Sequence, residues 1–326
     1  MSSIKLHRLI SVAPMMDCTD PHERYFLRLI SPHVLLYTEM VTIAALLHGD
    51  TEKLLDFDPF EHPVALQLGG SDPKDLAVCA RMGEAVGYDE INLNVGCPSE
   101  RVKAGRFGAC LMLEPQLVAD CVSTMNQAVK VPVTVKCRIG VDHADSYAEL
   151  QTFVQTISEA GCEVFIIHAR KAWLNGLSPK QNREVPPLQY EIVEQIKKDF
   201  PHLTIILNGG IKTVAAIEEH LKTIDGVMLG REAYSNPWIL AEIEKHIFEN
   251  DKISDRKSIL EQYLIYIENQ IKKGVRLTNI SRHLHGLFQG QLGARAWRRY
   301  LSEHAHKRGA TADVIREAMK MIGIVE

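Results

Sequence analysis

Across the first 235 residues, eight short runs rich in Val, Ile and Leu recur, each ending in Gly, Pro or a polar residue and most followed by an amphipathic stretch. The runs are Leu9–Met15, His33–Met40, Pro63–Gly70, Glu90–Cys97, Val131–Gly140, Cys162–Arg170, Leu203–Gly210 and Gly226–Arg231. The stretches between them include Pro73–Val86, Glu114–Val129, Asp145–Ala160 and Pro187–Lys198. Near-continuous apolar runs suit strands buried on both faces of a parallel sheet. Eight strand–helix alternations within about 240 residues give the length and order of a closed (β/α)8 TIM barrel. An open doubly wound sheet is the competing arrangement. It lacks support, because the first run passes into A-P-M-M-D-C-T-D-P with no G-x-G-x-x-G turn.

Beyond Ser235 the alternation stops. In Arg256–Lys273 the apolar residues Ile259, Leu260, Tyr263, Leu264, Ile267 and Ile271 make one helical stripe. A second helix capped at Thr278 or Asn279 and ending at Gly290 is expected, then Ala294–His306 and Ala312–Ile322. The chain therefore divides into a barrel over 1–245 and a small all-α helical bundle over 246–326, the polar segment E-N-D-K-I-S-D marking the join. Charge divides in a similar way. Residues 1–250 hold 23 Lys and Arg against 33 Asp and Glu, whereas residues 251–326 hold 14 against 8. Between Arg276 and Arg308 seven basic residues meet one acid, Glu303. Such a stretch is either a solvated helical face or a footprint for a polyanion.

With 46% hydrophobic and 24% charged residues, the composition excludes a disordered or fibrous chain. No window is apolar enough for a membrane span, and the opening M-S-S-I-K-L-H-R-L-I-S-V-A-P has no export segment, so a cytoplasmic location is expected. Seven cysteines with no C-x-x-C pair suit neither a disulfide framework nor a structural metal site. No metal is expected, and most thiols are read as small buried hydrophobes.

In a (β/α)8 barrel the catalytic groups stand at the C-terminal ends of the strands. Here those ends carry Ala13-Pro14-Met15-Met16, Glu39, Gln67, Asn94 with Cys97, Lys136 with Arg138, His168, Asn208-Gly209-Gly210, and Gly230-Arg231. An isolated N-G-G is a tight turn. Paired with G-R one strand later, at the seventh and eighth strand ends, it fits a phosphate site where backbone N–H groups approach an anion. Lys136 points into the mouth, where a lysine needs a partner for its charge. It serves either a Schiff base or the anionic edge of a cofactor, with Gln67 and His168 as further polar contacts. Cys97 ends the fourth strand and opens S-E-R-V-K-A-G-R-F-G-A-C-L-M, a loop with the make-up of a lid. An ordinary thiol donates a proton as readily as it attacks, and no nearby His in the sequence marks Cys97 as a thiolate nucleophile.

The motifs A-P-M-x-x-x-T-D (13–20), Q-L-G-G (67–70), N-x-G-C-P (94–98), V-K-x-R-x-G (135–140), H-A-R (168–170), N-G-G-I (208–211) and G-R (230–231) together closely resemble the tRNA-dihydrouridine synthases. The stretches C-P-S-E-R-V-K-A-G-R-F-G-A-C-L-M and H-A-R-K-A-W-L-N-G-L-S-P-K-Q-N-R look like the bacterial A subfamily. The resemblance implies an FMN flavoprotein that reduces uridine to dihydrouridine at positions 20 and 20a of the tRNA D-loop, re-reduced by NADPH or NADH. By the same resemblance Pro14, Met15 and Met16 contact the flavin through backbone. Gln67, Lys136 and His168 hold its ring system and ribityl tail, and Asn208, Gly209, Gly210, Gly230 and Arg231 take the phosphate. Cys97 is the general acid. Hydride addition at C6 of uracil leaves C5 to be protonated from the other side of the base, a task suited to a thiol on a mobile loop, and Asn94 would orient the uracil edge. The target base must leave its stack. Lys180, Arg183, Arg295 and Arg298 would hold tRNA phosphates, while Trp297 is either bundle core or a stacking platform. A monomer with no protein partner is expected. A reductase of a small enone, a non-catalytic RNA-binding barrel and a Lys136 aldolase are the rival readings; the basic bundle, the intact Cys97 and Lys136, and a yellow colour respectively would separate them.

Overall fold

The computed structural model describes residues 6–323. Eight parallel strands are present, β1 (Ile10–Val12), β2 (Leu36–Thr42), β3 (Val64–Gly69), β4 (Glu90–Val95), β5 (Val133–Arg138), β6 (Val164–His168), β7 (Thr204–Asn208) and β8 (Gly226–Leu229). They pair in the order β1-β8-β7-β6-β5-β4-β3-β2. The remaining seam is closed by a parallel bridge from Ser11 to Leu35, where Val12 N–H donates to Leu35 O at 2.9 Å and Leu35 N–H to Ile10 O at 3.1 Å. The chain thus builds the (β/α)8 barrel that its alternation predicts. β1 is shorter than the apolar run that contains it, since Pro14 has no N–H to give a ladder.

The barrel interior is divided. Ala13, Leu35, Tyr37, Ala65, Val164, Ile166, Ile206 and Met228 form an apolar cluster. Beside it, β3 to β5 contribute a run of polar side chains: Gln67 lies opposite Asn92, and Asn92 opposite Thr134. This corrects the expectation of a continuous apolar run in β4. E-I-N-L-N alternates, with Glu90, Asn92 and Asn94 on one face and Ile91, Leu93 and Val95 on the other, and all six are buried.

Compactness separates two units, one holding the barrel up to Asp17 and from Val34 to Gly230, the other holding Cys18–His33 and the chain from Arg231 onward. The division therefore does not fall at 245/246. Helix Pro21–Ile30 packs with the C-terminal helices because its side chains and backbone are their partners: Tyr25 stacks on Tyr266 at 4.0 Å between centroids, and Tyr263 donates to the His22 backbone carbonyl at 2.9 Å. Glu244, on helix Ile239–His246, is buried and accepts from the Ser31 hydroxyl and from His33 N–H. Trp297 is fully buried and donates to Leu284 O at 3.0 Å, so it is bundle core. The second helix is shorter than expected, Leu277–Ser281 followed by a tight turn over Arg282–Gly286. Gly286 lies against the Ser235 carbonyl so closely that a Cβ would sit 2.4 Å from it. The last two helices are Ala294–His304 and Asp313–Lys320.

At the centre of this second unit His283 stands between two carboxylates, its Nε2 3.0 Å from Asp20 Oδ1 and its Nδ1 3.1 Å from Glu23 Oε2. Burial opposes the imidazolium, but Asp20 and Glu23 outweigh it and raise His283 to about 9. Among the described residues no helix is long and apolar enough to cross a membrane.

Candidate active site

The ends of β5, β6 and β7 bring three side chains to one place. Arg138 is paired in register with His168, and His168 with Asn208. Lys136 donates to Asn208 Oδ1 at 3.0 Å, while Asn208 Nδ2 donates to Met228 O at 2.8 Å. Asn208 thus turns its side chain to Lys136 and β8, and its part in an anion site falls to its backbone. An ammonium has three N–H donors; the bond to Asn208 leaves two of them for a ligand. Burial, with Arg138 nearby, lowers the Lys136 amine to about 8. Burial and the surrounding cations also hold His168 well below the usual imidazole range, so its ring is neutral at physiological pH, with one donor and one acceptor.

Cys97 sits on a turn fixed from two sides. Asn94 Oδ1 accepts from Gly96 N–H at 3.2 Å and Cys97 N–H at 3.0 Å, while Arg138 Nε donates to Gly96 O at 2.9 Å. Arg138 is 3% exposed and also donates to the carbonyls of Lys171 and Asn182, at 3.1 and 3.0 Å. One buried guanidinium therefore ties the loop after β4 to the loop after β6. The loop expected as a lid is packed down in this structure. It forms a helix Glu100–Ala104 and a turn Gly108–Leu113, buries Phe107 and Leu111, and returns Ala109 N–H to Cys97 O at 2.9 Å. Cys97 keeps partial exposure, whereas Cys79, Cys121, Cys137 and Cys162 are buried and pushed up to about 11 or 12 by burial. The buried thiols are the small hydrophobes that the sequence suggests.

The glycines after β7 answer to packing as well as to any anion. Gly209 has φ +120°, and a Cβ there would lie 2.6 Å from His168 Cδ2. Gly210 has φ +71° and lies under Leu188 and the Tyr190 hydroxyl, which itself donates to Gly209 O at 2.8 Å. Gly230 is the least crowded of the three, since a Cβ there would meet Ala13 Cβ and Met15 Sδ at 3.9 Å, ordinary van der Waals contact. Gly209→Ala combines a backbone conformation rare for L residues with a clash against His168, and should cost about 1–3 kcal/mol in denaturant unfolding. An unchanged unfolding midpoint would show that neither constraint holds.

Pro14 and Met15 are half-buried and Met16 is exposed beyond the end of β1. Lys180 and Arg183 are exposed on the loop after β6. That loop is braced from below by the buried Asn182, which accepts from Trp173 N–H at 2.7 Å and donates to Trp173 O at 2.9 Å. Arg170, of the H-A-R motif, donates to Pro186 O on the same loop. Arg231, Arg295 and Arg298 belong to the second unit and are exposed there. Gln67 is 1% exposed, its Nε2 bonded to Asn92 Oδ1 at 2.7 Å and its Oε1 accepting from Asn94 Nδ2 at 2.8 Å. Sequence reasoning missed the tasks of Arg138 and Tyr190, whose bonds go to backbone carbonyls 19 to 44 residues away, and of Asn182, which bonds the backbone of its own loop. The polar alternation in E-I-N-L-N was a usable signal for the interior.

The chain matches the family model described as Dihydrouridine synthase (Dus) over residues 11–322. It is 60% identical to the tRNA-dihydrouridine(20/20a) synthase of Salmonella typhi, an alignment covering 96% of this chain and 94% of that one. The proteins of the same name from Escherichia coli K12 and Vibrio vulnificus are 59% and 56% identical, covering 96% of this chain in each case and 91% and 96% of theirs. A barrel with this cationic mouth and Cys97 turn, matched almost end to end, belongs to the dihydrouridine synthase family.

Proposed function

We propose that this protein reduces uridine to 5,6-dihydrouridine at positions 20 and 20a of the tRNA D-loop, using FMN and drawing electrons from NADPH or NADH. The names of the relatives support the substrate. The observation that carries the chemistry is Lys136, a lysine with two uncommitted donors beside the neutral His168. This donor set fits an electron-rich ring edge that gains negative charge on reduction. The left-handed glycines after β7 and the uncrowded Gly230 fit a phosphate approached by backbone N–H groups. Reduced FMN, when bound, supplies the hydride that goes to C6 of the uracil.

The remaining work falls to this chain's own residues. Lys136 and His168, with the remaining amide N–H of Gln67, hold the ring system and ribityl tail, and Pro14, Met15 and Met16 contribute backbone. Asn208, Gly209, Gly210, Gly230 and Arg231 take the phosphate. Cys97 gives its proton to C5, and Asn94, which keeps one N–H beyond its bonds to Gln67 and the turn, meets the uracil edge. The uridine must be extruded from the folded RNA, at a cost of a few kcal/mol offset by phosphate contacts elsewhere. Lys180, Arg183, Arg295 and Arg298 make those contacts, in the cytoplasm and from a monomer.

Purified protein should show flavin absorption, and its NADPH oxidation should rise when unmodified tRNA is added. A colourless protein would remove the cofactor reading. Arg295→Ala with Arg298→Ala should weaken tRNA binding and flatten the slope of log K against log salt by about 1.5–2, near one unit or a little less per phosphate lost. A salt slope equal to that of the unsubstituted protein would assign both arginines to solvent alone.

A further inference from the structure

A chain of side-chain hydrogen bonds runs through the barrel interior from its floor to the Cys97 turn, and it has one direction. Asn94 Oδ1 accepts two backbone N–H groups, so its Nδ2 must donate, and it does so to Gln67 Oε1 at 2.8 Å. Gln67 Nε2 then donates to Asn92 Oδ1 at 2.7 Å, and Asn92 Nδ2 to Thr134 Oγ1 at 2.8 Å. The Thr134 hydroxyl donates to Glu90 Oε1 at 2.7 Å. Glu90 ends the series as a carboxylate, held by Arg8 at 2.7 Å and by the Tyr37 hydroxyl at 2.6 Å. Burial and the nearby Glu90 keep Tyr37 protonated, so it can only donate there.

Glu90, Asn92 and Thr134 are fully buried, and Gln67 nearly so. These links are shielded from bulk water, and no amide can flip without setting donor against donor or acceptor against acceptor. The two ends therefore fix the polarity of everything between them: a carboxylate at the floor and two backbone N–H groups at the mouth.

We propose that Thr134 and Asn92 are positioning residues for the proton donor, holding Cys97 in place through Gln67 and Asn94 from the interior of the barrel. Neither touches the substrate. Their effect is on where the thiol stands, and a displacement of about 1 Å in a reacting group can cost up to a hundredfold in rate. The inference rests on the reading of Cys97 as the acid at C5.

The test compares Thr134→Val, which keeps the shape and removes the link, with Thr134→Ser, which keeps the hydroxyl. Thr134→Val should lower kcat for dihydrouridine formation about tenfold or more, with KM for tRNA within about twofold of the unsubstituted value. Thr134→Ser should restore kcat. Iodoacetamide labelling of the Cys97 peptide, followed by mass spectrometry, should be faster in Thr134→Val than in Thr134→Ser. Asn92→Leu breaks the same chain one link higher and should behave as Thr134→Val does, which covers a Thr134→Val protein that folds poorly. Unaltered kcat and labelling in both broken-chain variants would overturn the proposal, as would a Thr134→Ser variant no better than Thr134→Val. Labelling needs no turnover, so it tests the positioning even if Cys97→Ala proves active and the proton-donor reading falls.

Discussion

Cys97→Ala should lose about two to four orders of magnitude in dihydrouridine formation, the usual contribution of a positioned general acid, while retaining its flavin and the reduction of that flavin by NADPH. The reasoning follows the turn. Asn94 and Arg138 hold Gly96 and the backbone of Cys97, so alanine fits the same geometry and removes only the thiol. What is lost is the proton at C5; water would have to supply it without being held there. Turnover at the level of the unsubstituted protein would remove Cys97 from the chemistry and leave it a structural thiol.

His283→Ala should cost the second unit about 3–5 kcal/mol, because it leaves Asp20 and the fully buried Glu23 facing each other without the cation between them. Arg282 reaches Asp20 at 2.5 Å and softens the loss on that side alone. The sign of the pH dependence follows from His283. Its pKa is raised on folding from the ordinary 6.5 to about 9, so its stabilisation is complete below pH 6.5 and disappears as pH rises through 9. Glu23, raised by burial to about 7, acts in the same direction, since ionising it in the folded state costs free energy. Thermal unfolding should therefore occur at lower temperature at pH 9.5 than at pH 6, with a smaller difference in His283→Ala. A melting temperature that is flat across this range would mean that the triad is not held as an ion pair.

What could be read from the sequence was what depends on local pattern. The eight apolar runs gave the barrel because strands buried on both faces leave a plain signature, and the ends of those runs named Lys136, His168 and Cys97 because barrels put chemistry there. Helix Pro21–Ile30 looks like the first helix of any such barrel, yet its Tyr25, the His22 carbonyl, Glu23 and the capping Asp20 are partnered more than two hundred residues away, by Tyr266, Tyr263 and His283. No local periodicity reports that. Trp297 was undecided between core and RNA contact because an aromatic residue among arginines suits both; its bond to Leu284 O decides it. Arg138 lies within the V-K-x-R-x-G motif, but its task is set by the carbonyls of Gly96, Lys171 and Asn182 that converge on it. Long-range hydrogen bonds to backbone leave no trace in composition or spacing, and the support of this site is made largely of them.

The most direct test of the central claim is position-resolved mapping of dihydrouridine in unmodified tRNA incubated with the purified protein and NADPH. New dihydrouridine at positions 20 and 20a, with NADPH consumed in step, is the expected result. Flavin present but NADPH oxidation indifferent to tRNA, and no product at either position, would contradict the account and favour a reductase of a small unsaturated compound.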